Sequence, residues 1–396
     1  SSDLVAGRKA SELVRCICNN LGPCALEGEH VKQTVLHPEH VALGAAFTDF
    51  GGWDMPVRYG SDLAEHHAVR ESAGLFDISH MAEIRVTGPQ AATFLDYALV
   101  NPSSELAVLK AKYSLIVQPD GGVIDDLIVY RLGEEEFMVV ANAGNRFNVV
   151  EALNERVAGF AGATVVDESD DWALIALQGP KSEAILQPLT EVSLPEVRYY
   201  SITAGKVGGI DVLIGRTGYT GEDGFELFTP ASHAREMWQL LLKAGGNDVV
   251  PCGLACRDTL RLEAGMPLYG QELDRDHNPY EAGLGKVVRL DRESDFVGKA
   301  ALAAISAAPL ARKLVGLQGD GRRAARHGYS LHEVGQEAAI GEITSGALSP
   351  TLGYPVAMAY VSTSANIELG AVIEADIRGS RQEFTIVATP FYKRKK

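Results

Sequence analysis

The chain has 396 residues, 46% of them hydrophobic and 22% charged, a composition that is ordinary for a folded protein of two or three domains. Its net charge of −16 disfavours a nucleic-acid surface, because phosphate binding needs a basic field, but it allows an anionic small molecule in a local basic pocket. No apolar run approaches the roughly 18 residues of a membrane span. The five cysteines do not make a disulfide framework, which favours a reduced, intracellular protein.

Residues 1–33 match no pattern in the rest of the chain. They mix basic and acidic side chains and lack the apolar core of a secretory signal. Their acidic residues also disfavour a transit peptide. We therefore expect a leader that is not part of the fold.

From residue 34 the hydrophobic pattern alternates between helical and strand spacing. It predicts helices at residues 38–47, 62–73, 89–99 and 145–157, and strands at residues 82–86, 113–118, 123–131, 137–141 and 163–166. The succession strand, helix, strand, strand, helix, strand is typical of a split βαβ unit.

A related succession follows. It consists of a strand at residues 173–178, a helix to about residue 187, a hairpin at residues 201–216, a strand at residues 225–229 and a helix at residues 233–244. The sequence therefore predicts two α+β lobes of related topology, with their order in space left open.

After residue 290 the pattern changes again. A helix is predicted to about residue 307, followed by short strands at residues 314–317, 339–343, 356–361, 371–377 and 384–388 that glycine and proline turns separate. This pattern favours an all-β barrel. We expect the two lobes to occupy residues 34–300 and the barrel domain to occupy residues 301–396.

One predicted hairpin contains two adjacent carboxylates, Asp125 and Asp126, which strand geometry directs to opposite faces. A two-residue loop at Asp120 and Gly121 would pair Leu115 with Asp126. One face would then contain a single acid in an apolar and aromatic wall made of Tyr113, Leu115, Val117, Ile124, Asp126, Ile128 and Tyr130. An unpaired carboxylate there costs several kcal/mol, so it needs a partner or a function. On spacing alone, a partly exposed hairpin end or a salt bridge takes precedence over catalysis.

A second stretch, Arg-Thr-Gly-Tyr-Thr-Gly-Glu-Asp-Gly-Phe-Glu at residues 216–226, has a glycine at every third position. It predicts a closely approached loop entering a strand, with Glu226 at the strand start. A carboxylate there could bind two adjacent N–H groups, as on a 2-amino-4-oxopteridine, although an ordinary turn with a solvated acid is commoner. On the helix predicted next, Arg257 and Arg261 share one side, and each could pair with Asp258 or Glu263 or hold a ligand carboxylate.

Other common catalytic arrangements are missing from the sequence. The ten histidines show no metal-ligand spacing, so we expect no bound metal. No Gly-x-Ser-x-Gly elbow occurs. An enzyme of this composition would work by positioning and charge, with a soluble cofactor bringing the reactive group.

Several motifs occur together in a fixed order. They are residues 50–56 (Phe-Gly-Gly-Trp-Asp-Met-Pro), 74–81 (Gly-Leu-Phe-Asp-Ile-Ser-His-Met), 121–130, 216–226, 257–264, 268–271 (Leu-Tyr-Gly-Gln) and 341–350. From about residue 34 to the end, the chain thereby resembles the T-protein family of the glycine cleavage system, the tetrahydrofolate-dependent aminomethyltransferases.

The resemblance implies an α+β fold of two interlocked ferredoxin-like lobes with a C-terminal β-barrel domain, in a cloverleaf around a central folate site. It implies transfer of a one-carbon unit from aminomethyl-lipoyl H-protein to tetrahydrofolate, with release of ammonia. The expected partners are lipoylated H-protein and tetrahydrofolate, without nucleic acid or membrane. The expected compartment is the bacterial cytoplasm, with the mitochondrial matrix as the alternative.

The resemblance also assigns residues. It makes Asp126 the catalytic aspartate and Glu226 the acid that grips the pterin. The other folate-site residues that it implies are Arg257, Tyr113, Met81, Tyr392 and Arg326. A fixed carboxylate at Asp126 would stabilise the positive charge that an aminomethyl thioether develops as it loses sulfur.

One departure and two alternatives accompany the resemblance. Many relatives carry a Trp where this chain has Lys286, so we expect a stacking surface to be missing and do not assign Lys286 to the site. The first alternative is a folate-dependent demethylase of small methylated compounds. The second is a non-catalytic folate-binding protein that maintains iron–sulfur enzymes, whose motif cysteine is absent from residues 265–271. We rank the aminomethyltransferase first and the demethylase second.

Overall fold

The computed structural model describes residues 31–394. The expected leader lies outside the described residues except for its last three, among which Lys32 forms a β-bridge with Trp53. No helix of the described part is long and apolar enough to cross a membrane.

The N-terminal segment contains a hairpin that the sequence analysis missed. Helix α1 (His37–Ala42) is followed by strands β1 (Ala46–Phe50) and β2 (Trp53–Arg58), which pair antiparallel. The predicted helix over residues 38–47 was therefore too long. Gly51 and Gly52, with φ of 60° and 83°, form the turn, and a Gly-Gly pair between strand-forming residues was the available signal. Helix α2 (Asp62–Glu71) and strand β3 (Ala73–Asp77) follow.

The first lobe is a five-stranded sheet in the order β5-β6-β7-β4-β8. Its elements are β4 (Ala82–Thr87), α3 (Ala91–Ala98), β5 (Ala111–Val117), β6 (Val123–Gly133), β7 (Glu136–Ala141), α4 (Arg146–Val157) and β8 (Thr164–Asp167). Strands β8-β4-β7-β6 have the ferredoxin-like order expected of the split βαβ unit. The two helices cover one face, where Phe94 and Leu95 of α3 and Leu153 of α4 are fully buried.

The second lobe is a six-stranded sheet in the order β10-β11-β12-β9-β3-β13. Its own elements are β9 (Trp172–Gln178), α5 (Ser182–Leu186), β10 (Ile202–Val207), β11 (Ile210–Gly215), β12 (Gly224–Pro230), α6 (Ala234–Gly245) and β13 (Val249–Pro251). Strand β3, which precedes the first lobe in the chain, is inserted antiparallel to β9 and parallel to β13. The two lobes are therefore interlocked, as the resemblance implied.

One face of each sheet packs against the other sheet. Tyr130, Met138 and Val140 of the first sheet share a buried apolar cluster with Leu174 and Phe228 of the second. A cavity in this layer can therefore be lined by both lobes.

The remaining elements connect to a closed barrel. Helix α7 (Leu254–Glu263) follows the second sheet, and α8 (Lys299–Ala307) precedes the barrel. The barrel order is β14-β17-β16-β15-β18-β19, formed by β14 (Arg312–Gly319), β15 (Ser330–Glu333), β16 (Ala339–Leu348), β17 (Pro355–Ser362), β18 (Val372–Asp376) and β19 (Arg381–Val387). The predicted C-terminal barrel is confirmed, and the short strand β15 is its one unpredicted strand.

The register of the β5–β6 hairpin agrees with the prediction near the carboxylates and differs near the turn. Leu115 pairs with Asp126 as predicted, but Val117 pairs with Val123 instead of Ile124. The register shift leaves Ile124 unpaired, as in a β-bulge, and turns it into the core beneath α3 and α4. The prediction that Ile124 lies on the same face as Asp126 was therefore wrong, because it assumed an ideal two-residue turn without a bulged residue.

Candidate active site

A cavity of about 280 Å³, here called the central cavity, lies between the two sheets. Its walls come from both sheets, from the first turns of α7 and from the loop at residues 265–269. Five of the predicted site residues line it, namely Met81, Tyr113, Asp126, Glu226 and Arg257. Met81 and Arg257, which are 176 positions apart in the chain, thus meet at one site.

Asp126 faces the central cavity from β6 and is held by two side chains. The Tyr113 hydroxyl donates to Oδ2 at 3.0 Å, and Asn142 Nδ2 donates to Oδ1 at 2.9 Å. Strand pairing sets the first contact, since Tyr113 lies two residues from the position opposite Asp126 on the same face. Burial raises the pKa of Asp126 to about 6, while both hydrogen bonds favour the ionised form.

Asp125 points away from the cavity and is completely buried. It accepts hydrogen bonds from the Asn142 backbone N–H at 2.8 Å, from Asn142 Nδ2 at 2.9 Å and from Asn145 Nδ2 at 2.7 Å. Burial, and then the charge of Asp126, raise the pKa of Asp125 well above its ordinary value. The two acids therefore titrate as a pair, and the Asn142 side chain bridges them.

Glu226 lies at the start of β12 and is 8% exposed. Its Oε2 accepts hydrogen bonds from the Thr217 hydroxyl at 2.5 Å and from the Tyr130 hydroxyl at 3.4 Å. Burial raises its pKa, and the Thr217 hydrogen bond and the Arg257 charge oppose that shift. The carboxylate is thus fixed on one oxygen and lines the cavity.

The glycine-rich loop positions Glu226 by a close approach to β9. A Cβ at Gly218 would lie 2.0 Å from Gln178 Oε1, and one at Gly224 would lie 2.5 Å from Gln178 Nε2. The Gln178 amide in turn donates to the Thr217 carbonyl at 3.0 Å. Larger residues at these glycines would push the loop away from the strand.

Arg257 lies in the first turns of α7 and lines the central cavity, and its guanidinium makes no hydrogen bond or ion pair with any residue in the described range. Its guanidinium lies 5.0 Å from the Tyr219 ring centroid. Arg261, one turn later, contrasts with it, since it is 2% exposed and pairs with Asp258 at 2.7 Å and Glu272 at 3.0 Å. Of the pairings that the sequence left open, the Arg261–Asp258 pair is present, whereas the donors of the Arg257 guanidinium are not used by any described residue.

Two predicted site residues do not line the cavity. The Tyr392 ring lies 4.1 Å from the Arg70 guanidinium, and its backbone N–H donates to the Glu263 carbonyl at 2.8 Å. Arg326 donates from Nη1 to the Gly346 carbonyl at 3.1 Å in the barrel. Their assignment to the folate site stays a prediction.

Other cavity residues were not assigned from the sequence. Asn142 directly follows β7, and strand ends beside a cleft were a usable signal for it. His80 lies inside a motif that was used only for the resemblance, and its place in the cavity could not be read from spacing. Leu284 lines the cavity two residues before the exposed Lys286. Among residues 31–394, no group of His, Cys, Asp and Glu is arranged to hold a metal ion.

Comparisons with known proteins define the class of the fold and site. The model of the GCVT N-terminal domain matches residues 36–292, and the model of the glycine cleavage T-protein C-terminal barrel domain matches residues 312–393. The chain therefore belongs to the glycine cleavage T-protein family.

Individual relatives agree over nearly the whole length. The chain is 56% identical to the aminomethyltransferase of Saccharopolyspora erythraea, with 92% of this chain and 98% of that protein covered. It is 53% identical to the aminomethyltransferase of Streptomyces coelicolor, over 94% of this chain and all of that protein. The solved structure of glycine cleavage system aminomethyltransferase T from Bartonella henselae superposes with a TM-score of 0.86 at 36% identity, covering 92% of this chain and 98% of that one.

Proposed function

We propose that the central cavity transfers a one-carbon unit to tetrahydrofolate from an aminomethyl group on the lipoyl arm of an H-protein, with release of ammonia. The chain is an aminomethyltransferase of the glycine cleavage system. The proposal adds the donor and the acceptor of the one-carbon unit and the residues that act on them. One observation carries it. In an apolar cavity, the Asp126 carboxylate is fixed by two donors, while the Arg257 guanidinium has no hydrogen-bond or ion-pair partner among residues 31–394.

The cavity residues fit a folate. Glu226 offers an acceptor to adjacent N–H groups of a pterin edge, and Arg257 offers donors to a ligand oxygen. Ile128 and Leu174, on opposite sheets, supply apolar walls for a planar ring. Tetrahydrofolate supplies the two nitrogens that receive the one-carbon unit.

Asp126 acts in this proposal through its charge. As the aminomethyl carbon loses sulfur, positive charge develops on it, and the fixed carboxylate stabilises that charge without forming a bond. Tyr113 and Asn142 hold the carboxylate in position, so little reorganisation is needed. Overall, the two tetrahydrofolate nitrogens that bind the one-carbon unit each lose a proton. One of these protons ends on ammonia and the other on the lipoyl thiol.

The domain assignment and the compartment belong to the same proposal. Residues 34–300 form the folate-binding catalytic region and residues 301–396 the barrel domain, which the two family-model matches support. Relatives from bacteria support a bacterial cytoplasm as the place of action.

The test supplies the full chain with aminomethylated H-protein and tetrahydrofolate and measures ammonia and methylenetetrahydrofolate together. We expect both products in equal amounts, and neither when H-protein lacks its lipoyl group. Methyltetrahydrofolate formed from a methylated small molecule, without ammonia, would favour the demethylase alternative. Folate binding without either product would favour a non-catalytic role.

A further inference from the structure

His80 is a buried polar side chain that the mechanism above does not use. It is 2% exposed, lines the central cavity and packs edge-on against Phe50 with ring centroids 5.6 Å apart. Its Nδ1 is enclosed without a hydrogen-bond partner, and no residue in the described range hydrogen-bonds to Nε2. A buried polar group without a partner destabilises the folded state, so its presence calls for a ligand or for a reason in the fold.

The backbone holds His80 in place without help from its side chain. It lies in a turn after β3, where the Met81 N–H donates to the Ile78 carbonyl at 3.0 Å and the Ile78 N–H donates to the Leu174 carbonyl at 2.9 Å. The Asp77 carboxylate accepts from the Ser79 N–H at 2.9 Å. Because neighbours fix the turn, the imidazole is not needed to build it.

The surroundings decide which nitrogen carries the proton. Burial, and then the charge of Arg257, lower the pKa of His80 to about 4, so the ring is neutral at pH 7 and carries one N–H. A buried N–H without a hydrogen-bond partner is rarer in proteins than a buried acceptor without one. We therefore assign the unprotonated ring nitrogen to the enclosed Nδ1. The proton then lies on Nε2, at the ring edge that reaches the cavity.

We propose that His80 donates a hydrogen bond from Nε2 to the ring carbonyl oxygen of a bound 4-oxopteridine, next to the N–H groups that Glu226 accepts. The pterin edge presents two N–H donors followed by one carbonyl acceptor. Glu226 complements the donors, while His80 and the unpaired Arg257 present donors on the same cavity. This inference rests on the proposed function and adds a determinant of specificity for oxo over amino pteridines.

The test measures Kd by titration calorimetry for tetrahydrofolate and for its 4-amino analogue, which has no oxygen at that ring position. In His80→Phe, the ring volume and the contact with Phe50 stay while the donor is lost. We expect tetrahydrofolate to bind about tenfold more weakly and the 4-amino analogue to bind as in the unmodified protein. KM for tetrahydrofolate should rise by the same factor, with kcat changed much less.

Two amide variants provide matched controls. His80→Gln places an N–H donor near the position of Nε2 and should restore most of the affinity for tetrahydrofolate. His80→Asn places it near Nδ1 and should not, and this pair decides the question even if His80→Phe does not fold. The ligand-free unfolding midpoint of His80→Phe should equal or exceed that of the unmodified protein, since an unsatisfied polar group is removed.

Equal tetrahydrofolate affinity in all four proteins would overturn the proposal, as would an equal loss for both pteridines. A failure of the unmodified protein to turn over aminomethylated H-protein would instead refute the proposed function.

Discussion

Asp126→Asn removes a charge from the central cavity while keeping the shape of the side chain. The new amide oxygen can accept from Asn142 Nδ2, which donates to Oδ1 at 2.9 Å. The new amide N–H can donate to the Tyr113 oxygen, which lies 3.0 Å from Oδ2. The Tyr113 hydroxyl then accepts instead of donating, and its own proton is left for a partner in the central cavity, which Tyr113 lines.

The expected loss is in turnover. A fixed group aimed at developing charge in a dry site contributes about 3–4 kcal/mol, so kcat should fall about 100- to 1,000-fold. Stability should not fall, because burial raises the pKa of Asp126 to about 6 and the ionised form is therefore a cost to the folded state that Asn lacks. Ammonia release from aminomethylated H-protein at saturating tetrahydrofolate, together with urea unfolding, measures both effects.

Asp125→Asn is the matched control on the neighbouring residue. Asp125 accepts from three N–H groups of Asn142 and Asn145, so an amide there must direct its own N–H at one of those donors. We expect about 1–3 kcal/mol lower stability in Asp125→Asn. An Asp126→Asn protein with unchanged kcat at matched folate occupancy would refute the electrostatic role of Asp126.

Three further variants test contacts around the site. In Tyr113→Phe, Asp126 loses a donor that favours its ionised form, so the acidic limb of the kcat/KM profile should move from near pH 6 to higher pH; an unmoved limb contradicts this. Burial raises the pKa of Glu83, whose carboxylate oxygens have no hydrogen-bond partner in the described part of the chain. The free energy of unfolding should therefore fall as pH rises above 4.5, by about 1.4 kcal/mol per pH unit relative to Glu83→Gln, as urea unfolding at several pH values would show. Arg261→Met should lower the free energy of unfolding by about 3–5 kcal/mol, because the buried Glu272, 3.0 Å from Arg261, loses its ion-pair partner. Adding Glu272→Gln should recover part of that loss.

Strand alternation was enough to predict where Asp126 points. Side chains on a strand alternate between two faces, so placing Tyr113 opposite Ile128 determined the face of Asp126. The same rule failed at Ile124, because a bulge changes the count by one residue and every position beyond it changes face. Local periodicity therefore predicts faces only between irregularities.

Long-range placement could not be predicted in the same way. Strand β3 joins the sheet of the second lobe although it precedes the first, and nothing in residues 73–77 specifies that partner. The same insertion brings His80 into the central cavity, since this residue lies three positions after the end of β3. The role proposed for His80 depends on the absence of a side-chain hydrogen-bond partner among residues 31–394, which only the structure shows.

Two pairs of like residues differ in whether the fold itself uses their charged groups. Asp125 and Arg261 are buried and satisfied by the fold, whereas Asp126 and Arg257 face the central cavity. On the strand, alternation separates the two acids, since neighbours point to opposite faces. On the helix, positions i and i+4 share a side, so sequence spacing cannot separate the two arginines. The difference between the two arginines comes from an acid on the following segment. Glu272 forms an ion pair with Arg261 and not with Arg257, whose donors stay available to a ligand.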